Sequence, residues 1–231
     1  RRKMKKLTIL ILMVFGYFSN AVAVEGLNIG ASLLYGAFEI DGGKEEFKGA
    51  HVGGASPGDI SKSTAGQDEA EGAIVLGSIF AEYEVNDQVA LGLDYVPHSA
   101  ETETAENTLN ESGSDVKNTV QVDFENLTTL YVLLAPSEAM GVYFKAGMMQ
   151  VDVTTNEKLN TGGAYGNTDL DGYTVALGYE RDVDNGTFVR VEASYMELDG
   201  ATLVNTADST KSVTADGING YGARISIGKS F

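Results

Sequence analysis

From Asn219 to Phe231 the chain sorts its residues into two rows. Tyr221, Ala223, Ile225, Ile227 and Phe231 occupy one, and Gly222, Arg224, Ser226, Gly228 and Ser230 the other. Successive side chains of a strand point to opposite faces, so a strict partition with period two describes a strand whose faces meet two different solvents. Such a strand needs an apolar medium on one side and polar partners on the other.

The same pattern recurs. With the last one, the alternating segments number about eight, at approximately 27–38, 73–85, 88–97, 119–134, 140–153, 172–182, 187–197 and 219–231. Val189, Val191, Ala193 and Tyr195 oppose Arg190, Glu192 and Ser194; Val142, Phe144, Ala146 and Met148 oppose Tyr143, Lys145, Gly147 and Met149. Tyr173, Val175, Leu177 and Tyr179 oppose Thr174, Ala176, Gly178 and Glu180, and Val89, Leu91, Leu93 and Tyr95 oppose Ala90, Gly92 and Asp94. Each segment has the roughly nine residues or more that a tilted strand needs to cross a bilayer. Turning these strands over would push Arg190, Lys145 and Arg224 into hydrocarbon, at about 2–4 kcal/mol each near the midplane. Three such errors rival the roughly 5–15 kcal/mol that holds an ordinary domain together, so the phase is fixed for these strands. The residues of 73–85 leave its phase open: by analogy with Tyr95 and Tyr179 the outward residues are Val75, Ile79 and Tyr83, which turns Leu76 and Phe80 inward, and a small barrel has a packed interior that accepts them.

Composition agrees with the pattern. Hydrophobic residues make up 43% of the chain while the mean hydropathy is only −0.08, a balance suited to alternation and not to a bundle of membrane helices. Pro57, Pro97 and Pro136 all fall outside the apolar alternations, where a missing N–H does least harm. With no cysteine there is neither a disulfide framework nor a thiolate metal site, and closing a sheet on itself becomes the available source of rigidity.

Connections alternate in length. Tracts 39–72, 98–118, 154–171 and 198–218 are long and rich in Gly, Asp, Glu, Thr, Asn and Ser, whereas Asn86-Asp87, Pro136-Ser137-Glu138 and Asp182–Gly186 are short. Long structureless loops are uncommon in compact soluble domains, but short turns at one end and long loops at the other are the habit of membrane barrels. Asn185-Gly186 is also a favoured tight-hairpin pair.

The N-terminus has the layout of a secretory signal: Arg1-Arg2-Lys3-Met4-Lys5-Lys6, an apolar run from Leu7 to Phe18, and Ala21-Val22-Ala23 as an A-x-A cleavage site. We expect residues 1–23 to be signal peptide, with 1–3 upstream of a start at Met4, and 24–231 to form the barrel. Loss of Arg1, Arg2, Lys3, Lys5 and Lys6 moves the formal charge from −17 to about −22, which excludes nucleic-acid binding through a basic surface.

Tyr83-Glu84-Val85-Asn86-Asp87, followed by Leu91-Gly92-Leu93-Asp94-Tyr95-Val96-Pro97, with Lys145-Ala146-Gly147 and the closing Gly220-Tyr221-Gly222-Ala223-Arg224, resembles the small bacterial outer-membrane β-barrel superfamily that includes the OmpA transmembrane domain, OmpX and OmpW. The resemblance spans the mature chain as a pattern of strands and turns. It implies an all-β fold, an eight-stranded antiparallel up-and-down transmembrane β-barrel in the outer membrane of a Gram-negative bacterium, monomeric, with both ends periplasmic. It also implies export past periplasmic chaperones, an assembly signal read by the barrel assembly machinery at Tyr221, Ile225, Ile227 and Phe231, and contact with outer-membrane lipid including lipopolysaccharide.

Charges inside so narrow a barrel must be paired. The expected lumen network is Lys145, Arg190 and Arg224 against Asp94, Glu180 and Glu192, with Glu82 as a further candidate, plugging the barrel or lining a narrow gated pore. Tyr83, Tyr95, Tyr131, Tyr179 and Phe231 are expected to form an outward girdle at matching strand ends, where an apolar ring with a polar tip suits the headgroup layer.

An enzyme search starts from two histidines, His51 and His98. His98-Ser99 near a strand end invites comparison with rim-located hydrolytic sites, yet consecutive residues of an extended chain point opposite ways, and no catalytic residue is expected. Asn167-Thr168-Asp169-Leu170-Asp171-Gly172 opens like a calcium loop, but its twelfth position is Gly178 in place of the bidentate Glu. Asp68, Glu69, Glu71, Glu101, Glu103 and Glu106 read as solvated loop acids. No cofactor or metal is expected. A structural or surface-interaction barrel comes first, a small-solute channel second and a lipid-modifying enzyme third; a soluble β-sandwich or lipocalin-like binder would need the apolar rows to face water.

Overall fold

The computed structural model describes residues 24–47, 60–61, 70–111, 114–136, 140–160, 163–207, 209 and 211–231. The segment expected to be a signal peptide, and His51, Asp68 and Glu69, lie outside the described residues. The strands are β1 (Leu27–Phe47), β2 (Ile60–Ser61), β3 (Ala70–Asn86), β4 (Val89–Tyr95), β5 (Ala100–Glu101), β6 (Ala105–Glu111), β7 (Ser114–Leu134), β8 (Val142–Lys158), β9 (Thr168–Asp182), β10 (Thr187–Val204) and β11 (Lys211–Ser230). No helix among the described residues is long and apolar enough to cross a membrane.

The sheet closes. Its ring runs β1–β3–β4–β7–β8–β9–β10–β11 and returns to β1 through antiparallel pairs from Asn28↔Ser230 to Phe47↔Lys211. Every neighbouring pair in the ring is antiparallel, giving an eight-stranded up-and-down barrel without a free edge at its seam. The first and last described segments of the barrel meet: the Gly26 N–H donates to the Phe231 carbonyl at 3.0 Å. The β3–β4 and β9–β10 turns, 87–88 and 183–186, and the ends of β7 and β8 at Leu134 and Val142 lie at this same end. Asn185 and Gly186 both have positive φ, 53° and 70°, as their tight turn requires.

The opposite end differs from the expected structureless loops. The β10–β11 hairpin zips up to Val204↔Ser212, β8–β9 pairing reaches Val153↔Thr168, and β7–β8 pairing reaches Thr119↔Lys158. Beyond Tyr95 the chain stays along β7 through β5 and β6, as far as Glu111↔Ser114. Much of the acidic tracts is therefore hairpin wall standing above the apolar band. Strict alternation weakens there because the outer face meets water, while the inner face still holds Val122, Phe124, Val153, Leu170 and Leu198 and backbone pairing continues. Where β7 enters this region a bulge falls between Glu125 and Thr128, and Asn126 takes a positive φ of 56°, tolerable for Asn.

The outward rows hold Leu33, Val75, Leu91, Leu130, Phe144, Val175, Leu177, Val191, Ile225 and Ile227, all half or nearly half exposed in the isolated chain. In β3 Leu76 and Phe80 are buried inside while Val75 and Tyr83 are exposed, the phase to which the analogy with Tyr95 and Tyr179 points. The girdle needs correction at two positions. Tyr83, Tyr179 and Phe231 ring the turn end, but Tyr95 sits toward the hairpin end, opposite Ile79 and Thr128; there the outward tyrosines are Tyr35, Tyr95, Tyr173, Tyr195 and Tyr221. Tyr131 is not in the girdle at all. It points inward and is 3% exposed, because Leu130–Leu134 is apolar on both rows and the Tyr131 hydroxyl finds a carboxylate inside.

Candidate functional site

The described interior is layered along the barrel axis. Its middle layer is polar. Arg190 on β10 forms a two-pronged pair with Glu82 on β3, Nη1–Oε1 at 2.6 Å and Nη2–Oε2 at 2.8 Å, and its Nε donates to Glu180 on β9. Lys145 on β8 meets Glu192 on β10 at 2.6 Å. Arg224 on β11 donates to Asp94 on β4 at 2.6 Å, and Ser78 donates to the same carboxylate at 2.9 Å. The structure thus divides the six expected network residues into three groups: Arg190 with Glu180, Lys145 with Glu192, and Arg224 with Asp94. Glu82, a secondary candidate from sequence, is the hub, with its side chain 1% exposed.

Two tyrosines complete the layer, and sequence reasoning did not assign them to it. Tyr131 donates to Glu82 at 2.6 Å and Tyr143 to Glu192 at 2.9 Å. The only available signal was Tyr143 sharing a row with Lys145. Rings also sheathe the cations: Arg190 stacks 4.5 Å from the Phe188 centroid and 5.4 Å from that of Tyr143, and Lys145 lies 4.8 Å from that of Tyr131. This fits physical need, since charge taken from water must recover its solvation from hydrogen bonds, opposite charge and ring faces.

Space for these rings comes from glycine. Tyr131 lies over its cross-strand partner Gly92, Tyr143 over Gly178, Phe80 over Gly30 and Phe188 over Gly228, and a Cβ at any of the four glycines would collide with the ring. Large opposite absent is how a narrow cylinder fills evenly.

Toward the hairpin end the interior turns apolar. Leu34, Leu76, Val96, Met149, Val151, Val153, Leu170, Met196 and Leu198 form one buried cluster, backed by Phe38, Val122, Phe124 and Ile218. Between network and cluster lies a void of about 10 Å³, room for roughly one water. Toward the turn end the barrel opens into a mouth cavity of about 540 Å³.

The other sequence candidates are engaged in the wall. His98 Nε2 accepts the Gly77 N–H at 3.0 Å, beyond the last β3–β4 pair. Asp169 and Asp171 stand on β9, and Asn167 Oδ1 accepts the Thr155 N–H at 3.0 Å, so 167–172 enters a strand and does not form a calcium loop. Glu106 pairs with Lys117 at 2.6 Å. Among the described residues no group of three or more His, Cys, Asp or Glu could hold a metal ion. Of the expected assembly-signal residues, Tyr221, Ile225 and Ile227 stand on the outward row of β11, and Phe231 follows that strand with its N–H on the Leu27 carbonyl at 3.0 Å.

A closed antiparallel cylinder with an apolar belt outside and paired charges inside is a membrane-spanning β-barrel. The chain belongs to the outer membrane protein beta-barrel domain family, whose model matches residues 9–231, and that membership places it in the bacterial outer membrane. Similar solved structures include Neisserial surface protein A (12% identity, 90% of this chain and 98% of that one, TM-score 0.45). The outer membrane protein AlkL is 16% identical over 92% of this chain and 93% of its own, with TM-score 0.46. OprG from Pseudomonas aeruginosa is 12% identical over 90% and 98%, with TM-score 0.44. No curated protein matches the chain.

Proposed function

We propose that this protein is a closed, monomeric barrel with a structural or surface-interaction role, which holds paired acidic hairpins rigidly above the outer leaflet of a Gram-negative cell. The observation that carries this reading is the apolar cluster from Leu34 to Leu198, stacked on the paired charges of Asp94, Lys145, Glu192 and Arg224. An ion following the axis would have to leave water for packed side chains, a transfer that costs many kcal/mol for an unpaired charge. In this reading residues 1–23 direct export, periplasmic chaperones and the barrel assembly machinery handle the chain, the β11 row ending at Phe231 is the assembly signal, the turn end faces the periplasm, and lipopolysaccharide surrounds the hairpin-end tyrosines. Neither channel activity nor catalysis is part of it.

Planar-bilayer recording of the refolded protein tests the reading. A silent membrane is the expected result. Discrete openings that vanish in Arg190→Ala would establish the narrow-channel alternative instead.

A further inference from the structure

On the hairpin side of the Ile79↔Tyr95 pair the β3–β4 ladder stops. In an antiparallel ladder the N–H and C=O of one residue point to the same side, and successive residues alternate sides. The Glu84 N–H bonds toward β1, to the Gly26 carbonyl, so even-numbered residues of β3 bond to β1 and odd-numbered ones to β4. The next pair on the β4 side would join Gly77 to position 97. That position is Pro97, which has no N–H to give. The chain instead follows β7, where the Val96 N–H meets the Leu127 carbonyl and the Thr102 N–H the Val122 carbonyl, both at 2.9 Å.

His98 takes the place of the missing pair. Its Nε2 accepts the Gly77 N–H at 3.0 Å, and its Nδ1 lies 3.4 Å from the Ser99 carbonyl. A backbone N–H can only donate and a carbonyl only accept, so these partners require a neutral ring with its proton on Nδ1. Among the described residues no other hydrogen bond joins β3 beyond Ile79 to the tract 96–104.

No charged group competes for the ring. Residues 72–81 of β3 and 26–38 beside and within β1 include no charged side chain. Tyr35 on β1 and Tyr95 on β4 are phenols, uncharged at and below neutral pH. Asp94 on β4 turns inward to Arg224. On β7, Glu125 accepts from Thr154 and Asp123 from Asn156. In the tract itself Glu101 accepts from Gln121, and Glu103 is exposed.

We infer that His98 is an acid-released latch between β3 and the tract that follows β4. Imidazole is the side chain whose charge ordinarily changes between about pH 5 and 8. Protonation places an N–H on Nε2, where it faces the Gly77 N–H, so donor meets donor and the bond is lost. The wall then loosens between Gly77 and Ser99, beside Leu76 and Val96 of the apolar cluster. The Glu82–Arg190 pair, deeper in the barrel, keeps its bonds.

Amide hydrogen exchange, followed by NMR on isotope-labelled full-length protein refolded into lipid nanodiscs, tests this at about pH 8 and about pH 5. Each rate is divided by the intrinsic rate of an unfolded amide at that pH. Protection of Gly77 should fall about tenfold or more in acid, in step with titration of the His98 ring in the same samples. Ala81, within the ladder, should stay protected at both. His98→Gln keeps an acceptor but removes the titrating group, and should show no fall; His98→Lys, charged throughout, should leave Gly77 unprotected at both. Equal protection of Gly77 in the unaltered protein at the two pH values would overturn the inference. A fall out of step with the His98 ring, or one that persists in His98→Gln, would overturn it too, by assigning the change to another titrating group.

Discussion

Glu82 and Arg190, 108 positions apart in sequence, meet inside the barrel through two parallel hydrogen bonds of 2.6 and 2.8 Å. They come from β3 and β10, strands that are not neighbours in the wall, so the pair fixes the barrel's cross-section as well as its charge balance. Removing one member strands the other as an uncompensated buried charge. Glu82→Ala should therefore cost about 3–5 kcal/mol, read as a lower urea midpoint for unfolding from lipid vesicles. A loss under about 1 kcal/mol would show that water already reaches Arg190.

Tyr131 offers a sharper test of which way its strand faces. Its hydroxyl donates to Glu82, which is paired with Arg190, and hydrogen bonds within such charged groupings contribute about 1.5–3 kcal/mol. Tyr131→Phe should lose that amount in the same assay, whereas Tyr83→Phe, on the outward row, should change stability little.

Gly178 and Tyr143 test the packing argument. A side chain at position 178 must displace the ring that lies over it, and the ring's hydroxyl is held by Glu192. Gly178→Val should destabilise by about 1–3 kcal/mol from overpacking. Gly178→Val combined with Tyr143→Ala should recover part of the loss, with a coupling measurable in a double-mutant cycle.

Sequence parity alone carried much of this fold. It placed Arg224 and Ile225 on opposite faces; in β3, where both rows carry apolar residues, parity left the phase open, and only the analogy of Tyr83 with Tyr95 and Tyr179 pointed to Val75 and Tyr83 facing out. Parity cannot say which inward residue meets which. Asp94 finding Arg224, and Glu82 finding Arg190, depend on register and on closure across the ring, and neither leaves a local trace. Tyr131 escaped because its neighbours Leu130 and Val132 face lipid while Leu133 packs inside, so apolar character gives no phase there. The hairpin extensions past Asp152 and Glu197 escaped for a different reason: above the lipid the outer face is wet, and the inward apolar residues there, Val153, Leu170 and Leu198, are too scattered among polar neighbours to form a continuous row.

Spin labels at Val191 and Ile225, in the protein refolded into lipid bilayers, test the central claim most directly. The claim is that hydrocarbon bathes the outward rows while the cations on the alternate rows are sealed inside. Collisions with dissolved oxygen should be strong at both sites, and collisions with a water-soluble nickel chelate weak. Strong quenching by the nickel chelate at either position would mean that water bathes this wall, and would contradict the account.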